Sequence, residues 1–203
     1  MQSLINIDQN VFSWFNSFIY KNNFLDFVIK ILAVYTIYFI PLVFIFFWFY
    51  PTSPILRGTS KSNEKTKKFL IELFLVLVVS WQLIARFIGM LINRPRPASF
   101  EGAKELLFHP PTYAFPSDHA LFLACITTYL YLSGYPKIGN IALILTILIS
   151  ISRVIAGFHF PGDILAGWIM GAILAYLFYK ANKFIQKYFV GPIYNFAKFL
   201  KLA

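Results

Sequence analysis

Residues 152–163 read SRVIAGFHFPGD and lie between two apolar runs, ILTILISI before them and ILAGWIMGAILAYLF after them. Two other stretches break oily surroundings in the same way: Arg94-Pro95-Arg96-Pro97, with Arg86 upstream of it, and Pro116-Ser117-Asp118-His119. A charged side chain at membrane depth costs roughly 2.5–3.5 kcal/mol on insertion scales, so such residues are kept for pairing or for chemistry. Gathered together, Arg86, Arg94, Arg96 and Arg153 supply guanidinium groups, His119 and His159 supply imidazoles, and Ser117, Asp118 and Asp163 supply a hydroxyl and two carboxyls. That set suits a polyanion. Phosphate is the natural candidate, because the planar donor fork of arginine matches phosphate oxygens and several forks hold a doubly charged group.

The elements that must position these residues are membrane helices. Hydrophobic residues are 59% of the 203 and charged residues only 13%, against about a quarter charged in a soluble domain. Several runs approach the ~20 apolar residues that cross a bilayer core. We expect an all-α integral membrane helical bundle of about five spans, with amphipathic interfacial helices at both ends. The spans fall at roughly 27–50, 69–93, 117–134, 137–155 and 163–179. Pro41 is placed to kink the first. Leu4, Ile7, Val11, Phe12, Phe15 and Phe18 recur at helical spacing and predict an interfacial helix over 1–23. The Lys-rich, aromatic tail 183–203 predicts another. The chain reads as one domain whose catalytic core is 69–182, with no internal repeat. Glu72 sits near the start of its span, at the interface.

The net charge of +10 falls mainly in loops and tails beside apolar runs. It marks contact with anionic lipid head groups, not nucleic acid. Alternating crossings bring RPRP, PSDH and SRVIAGFHFPGD to one face. Loop 51–68, Lys137 and the tail fall on the other, which the positive-inside rule makes cytoplasmic. The polar stretches then meet on the extracytoplasmic side of the cell membrane. Cys125, the sole cysteine, cannot form an intrachain disulfide and reads as a buried thiol.

Arg94-Pro95, Pro116-Ser117-Asp118-His119, and Ser152-Arg153 with His159 and Asp163 resemble the three signature motifs of the type-2 phosphatidic acid phosphatase superfamily. The third motif, Ser-Arg, five residues, His, three residues, Asp, is matched in full. The resemblance covers roughly 70–180. Two positions depart from it: Phe87 stands where the first motif opens with Lys, with Arg86 one place earlier, and Asp118 stands where Gly is usual. The RPRP run, the Asp variant and the short chain are most similar to the bacterial undecaprenyl-diphosphate phosphatase branch.

The resemblance implies a lipid phosphatase working through phosphohistidine. The implied nucleophile is His159, with Asp163 accepting a hydrogen bond from one ring nitrogen so that the other faces phosphorus. His119 is the implied general acid, and then the base for the hydrolytic water. An ordinary imidazole pKa of ~6.5 suits both steps. Arg94 and Arg153, with Ser117 at a helix N-terminus, would hold phosphate oxygens; Arg86 and Arg96 are further substrate-binding candidates. No cluster resembles a magnesium or zinc cage, so no metal and no cofactor are expected. The expected substrate is undecaprenyl diphosphate, the cell-wall carrier lipid, cleaved to undecaprenyl phosphate. Phosphatidylglycerophosphate, phosphatidate and lipid A are alternatives of the same chemistry, and transport of an anionic lipid or phosphate is the alternative of another class. No obligatory protein partner is evident. Residues 98–115, with Glu101, Lys104 and Glu105, are placed to form a lid over the head group, and His109 reads as polar surface.

Overall fold

The computed structural model describes residues 2–50, 60–108 and 113–202. Loop residues 51–59 and His109 lie outside them. Helix α1 is Gln2–Asn16, α2 is Asn23–Phe49 and α3 is residues 60–92. Then come α4, Asp118–Leu132, α5, Pro136–Ile155, α6, Pro161–Lys180, and α7, residues 182–199. No strand occurs among the described residues.

Among the described residues, four helices are long and apolar enough to cross a bilayer. The fifth expected span, α4, is only 15 residues long. It sits inside the bundle, with nine side chains from Ala120 to Leu130 buried. Its closest neighbour is α6, and two glycines on α6 permit the approach. A Cβ on Gly167 would meet the Ser117 carbonyl oxygen at 2.9 Å, and one on Gly171 would meet the Leu121 carbonyl oxygen at 2.3 Å. Spaced four apart, they form the small-residue stripe that lets backbones touch where lipid offers no hydrophobic drive. Helix α5 joins the pair through a Thr127–Thr146 hydroxyl bond at 3.0 Å. Trp168 Nε1 of α6 donates to Ser150 Oγ of α5 at 3.0 Å.

The spanning helices are not uniform. Helix α2 widens to a π-type turn over Ile31–Tyr35 and tightens to a 3₁₀ turn over Thr36–Phe39. This happens just ahead of Pro41, whose missing N–H and bulky ring disturb the ladder one turn back. Helix α3 widens similarly over Val79–Ala85.

The two terminal helices mark opposite ends of the bundle. Helix α7 folds back on the start of α3: Lys68 lies 5.2 Å over the Tyr194 ring, and Trp48 Nε1 donates to the Leu202 carbonyl at 2.8 Å. Glu72, expected at the interface, is instead 4% exposed, taking hydrogen bonds from Tyr129 Oη and, at 2.5 Å, from Gln186 Nε2. The tail covers it there.

At the other end α1 does not merely float in the interface. It buries Phe12 and Asn16 against protein. The Asn16 amide donates to the Lys104 and Ile155 carbonyls at 2.9 and 3.0 Å, and its oxygen takes the Lys104 N–H at 2.8 Å. Leu106 N–H bonds the Ala156 carbonyl at 3.1 Å. Gly157 has φ +85, and a Cβ there would strike the Lys104 carbonyl oxygen at 2.1 Å. Residues 104–106, within the expected lid, are thus a strap tied to α1 and to the end of α5.

Candidate active site

The site is assembled where α4 and α6 begin and α5 ends. Arg153 is in the last turn of α5, 3% exposed. Its Nη1 donates to the Ala33 carbonyl at 2.8 Å, inside the widened turn of α2. This is a common use of a π-type turn, which presents backbone groups to a functional site. From that anchor the guanidinium meets both imidazoles: Nη1 lies 3.3 Å from His119 Nε2 and Nη2 lies 3.3 Å from His159 Nε2. Two histidines forty residues apart in sequence therefore share one cation.

His159 is 1% exposed, and its Nδ1 lies 2.8 Å from the Ala114 carbonyl oxygen. A carbonyl can only accept, so Nδ1 carries the proton and Nε2 presents a lone pair to Arg153. Burial first, then the charges of Arg153 and Arg96, hold His159 well below the usual imidazole value. Both causes favour the neutral form of the ring.

Here the structure corrects the expected partner. Asp163 Oδ2 is 3.9 Å from His159 Nδ1, beyond a hydrogen bond. The four-residue spacing suggested contact, but α6 starts only at Pro161. His159 therefore precedes the helix and is not one turn below Asp163. The buried Asp163 instead caps α6, taking the Phe160 N–H on Oδ2 at 2.9 Å, and takes Arg94 Nη1 on Oδ1 at 2.6 Å.

The two arginines of RPRP point differently from expectation. Arg96 is the one drawn into the cluster: it is 9% exposed, donates from Nη1 to the Phe158 carbonyl at 2.8 Å, and its charge acts on His159. Arg94 turns away to two carboxylates, Asp163 and Asp8, with Nη2 2.6 Å from Asp8 Oδ2. Arg94, expected to hold phosphate by its motif position, is thus paired with two carboxylates, and Arg96 is the arginine of this segment nearest the histidine cluster. Arg96 itself is extended, with φ −77 and ψ 159, ahead of the short turn at Pro97–Ser99, as a residue before proline prefers. Counting back from Arg96, the place of the motif's lysine becomes Gly89. A Cβ there would sit 3.2 Å from the Phe115 carbonyl oxygen, so glycine lets the lead-in to α4 lie close on α3. Arg86 stays exposed on α3, within electrostatic reach of Asp118 but outside the histidine cluster.

Ser117 is the N-cap residue of α4, fully buried, and its Oγ has no hydrogen-bond partner among the described residues. Its N–H goes to the Asp163 carbonyl at 3.1 Å. A buried hydroxyl at a helix N-terminus, where the first N–H groups have no intrahelical acceptor, suits an anion. Asp118 faces Trp81, which donates to its carboxylate. Among the described residues no three His, Cys, Asp or Glu side chains cluster as a metal cage.

Two cavities flank the cluster. One, about 510 Å³, runs between α2 and α3; Ile37, Pro41, Phe44, Leu77 and Phe122 line its wall, and Asp118 and His119 stand at its polar end. The other, about 400 Å³, is a polar recess between α1 and residues 100–104 that includes Phe160 but neither catalytic-site histidine. Sequence reasoning missed Asp8, Ala114 and Ala33. The last two act through backbone carbonyls, which no residue type announces; Asp8 was legible only as a carboxyl in an amphipathic helix.

Residues 69–187 match the PAP2 superfamily, and the chain belongs to it. It is 28% identical over 183 residues to the bacitracin transport permease protein BcrC of Bacillus licheniformis, covering 89% of this chain and 83% of that one. It is 30% identical over 141 residues to an undecaprenyl-diphosphatase of Sulfolobus acidocaldarius, covering 68% and 64%. The transmembrane PAP2-type phosphatidylglycerolphosphate phosphatase of Bacillus subtilis shares the fold, with a TM-score of 0.67 at 22% identity over 93% of this chain and 90% of that one. The molecule is a membrane enzyme of the lipid-phosphatase kind.

Proposed function

We propose that this enzyme hydrolyses undecaprenyl diphosphate to undecaprenyl phosphate and inorganic phosphate through a phosphohistidine at His159. The observation that carries the chemistry is the single guanidinium of Arg153 held between His119 Nε2 and His159 Nε2. An arriving terminal phosphoryl group offers Arg153 an anionic acceptor stronger than an imidazole nitrogen. Its oxygens would sit between Arg153, Arg96, Ser117 Oγ and the first N–H groups of α4. His159 Nε2 then forms the N–P bond as the bridging P–O bond breaks, with His119 giving its proton to the leaving undecaprenyl phosphate oxygen. In the second half His119 takes a proton from water as that water attacks phosphorus, and the N–P bond breaks to release phosphate. The guanidinium groups stabilise the developing charge, and on this reading no metal is needed.

Two things support a polyprenyl substrate. The apolar slot between α2 and α3 ends at His119, so a chain lying there would deliver its head group to the general acid. The Sulfolobus relative is itself named for undecaprenyl diphosphate. Lys65, Lys67, Lys68, Lys137 and the lysines of α7 lie away from the histidine end, which supports an extracytoplasmic site. Those lysines would also meet anionic lipid head groups.

Phosphate release from undecaprenyl diphosphate, phosphatidylglycerophosphate, phosphatidate and lipid A, measured in detergent with excess chelator, tests the reading. The diphosphate is expected to give the highest kcat/KM. Preference for a non-isoprenoid lipid would move the substrate. Absence of release from all four would favour transport, the activity in the name of the Bacillus licheniformis relative.

A further inference from the structure

Asp8 lies in α1, 86 residues from Arg94, and the two meet at 2.6 Å. The Asp8 side chain is 15% exposed. Oδ2 accepts Arg94 Nη2, and Oδ1 accepts the Gly162 N–H at 2.7 Å, on the first turn of α6. A Cβ on Gly162 would stand 3.0 Å from Asp8 Oδ2, so glycine leaves room for the carboxylate to reach that helix end. The other arm of the Arg94 fork holds Asp163 at 2.6 Å, and Asp163 holds the Phe160 N–H at 2.9 Å. The Phe160 ring lies under the Arg94 guanidinium at 4.4 Å and meets Phe12 of α1 edge-on at 5.2 Å.

These contacts bear on Phe160, which directly follows His159, and on the first turn of α6. A helix that only rests on lipid has no use for a mostly buried carboxylate, which costs free energy unless it is paired and hydrogen-bonded. Here the carboxylate is fully engaged, and both of its partners belong to the frame of the site.

We propose that Asp8 is a positioning residue for the reaction: through Arg94 and the first turn of α6 it fixes the backbone that aims His159 at phosphorus. The terminal helix α1 is then part of the catalytic unit, although it lies outside the stretch that matches the superfamily. Asp8 does not touch substrate in this scheme. The inference rests on His159 as the attacking group.

The test compares wild type, Asp8→Asn, Arg94→Ala and the double variant, using phosphate release from farnesyl diphosphate and from dioctanoyl phosphatidate in detergent. Rates are normalised to monodisperse protein of measured Tm. Asp8→Asn is expected to lower kcat about tenfold on both lipids with KM changed less than about twofold, the pattern of a lost transition-state alignment. The double variant is expected to be no slower than Arg94→Ala alone, because the two residues act as one unit. An Asp8→Asn enzyme with wild-type kcat, or losses that multiply in full, would overturn the proposal. If Asp8→Asn yields no monodisperse protein, Arg94→Lys takes its place. It keeps the charge but cannot bridge two carboxylates with one planar fork, so the same fall in kcat is expected and an unchanged kcat overturns. A wild type that releases no phosphate would defeat the phosphatase reading itself; an active wild type beside an unimpaired Asp8→Asn would defeat only the role of Asp8.

Discussion

Arg94 and Arg96 are two residues apart and chemically identical, yet the fold gives them different work. Arg96 is buried beside His159, whereas Arg94 is balanced between two carboxylates. Motif position gave both arginines as phosphate-binding candidates, and a one-dimensional pattern does not show that the first meets Asp8 and Asp163. The same limit applies to Asp163. Its spacing from His159 was correct for the motif, but the helix starts between them, and a backbone carbonyl at Ala114 fixes the tautomer instead. The histidines, Arg153 and Ser117 were legible because charged and polar residues in lipid-facing sequence need a reason. Arg86 met the same criterion and is nevertheless exposed on α3. The residue-scale prediction separates the arginines. Arg96→Ala is expected to lower kcat/KM for a polyprenyl diphosphate by about 10²–10³, the usual cost of losing one preorganised donor to developing charge. The loss should include a raised KM, unlike the kcat-only loss expected of Arg94→Ala. Steady-state kinetics of the two variants side by side decide this; a KM effect confined to Arg94→Ala would reverse the assignment.

Among the elements, the pairing of α4 with α6 does most to build the site. It sets Ser117 against the Asp163 backbone and brings His119 to the end of α5. The expected boundaries of the last three spans lie within about two residues of the helices, because apolar runs bounded by Pro and Gly are strong punctuation. The second span was legible only in part. Helix α3 begins at Ser60, because SKSNEKTKK is polar enough to leave the bilayer but contains nothing that breaks a helix. The buried state of α4 was hidden as well, since an apolar run reads the same whether it faces lipid or protein. Gly171 is where that packing is tightest. Gly171→Ala puts a methyl group against the Leu121 carbonyl oxygen, 2.3 Å away in the unrelaxed backbone, and overpacking of this kind costs about 1–3 kcal/mol. A lower Tm in detergent and weaker activity are expected. An unchanged Tm would mean that α4 and α6 can separate freely.

At the scale of the whole molecule, the chain is a bundle with a basic, aromatic end and a catalytic end, each closed by its own terminal helix. Helix α7 shields Glu72, and α1 straps residues 104–106 and clamps Arg94. Long-range ties of this sort carry no local sequence signal, which is why both terminal helices read only as interfacial. What unites the molecule is that two remote segments bring two imidazoles to one guanidinium. The most direct measurement of that claim is rapid acid-free quenching of the enzyme during turnover of polyprenyl diphosphate labelled in the terminal phosphate. The expected result is an acid-labile, base-stable phosphoryl adduct mapped to residue 159 in wild type and absent, together with turnover, in His159→Ala. Full phosphate release by His159→Ala, or an adduct on any other residue, would contradict the account.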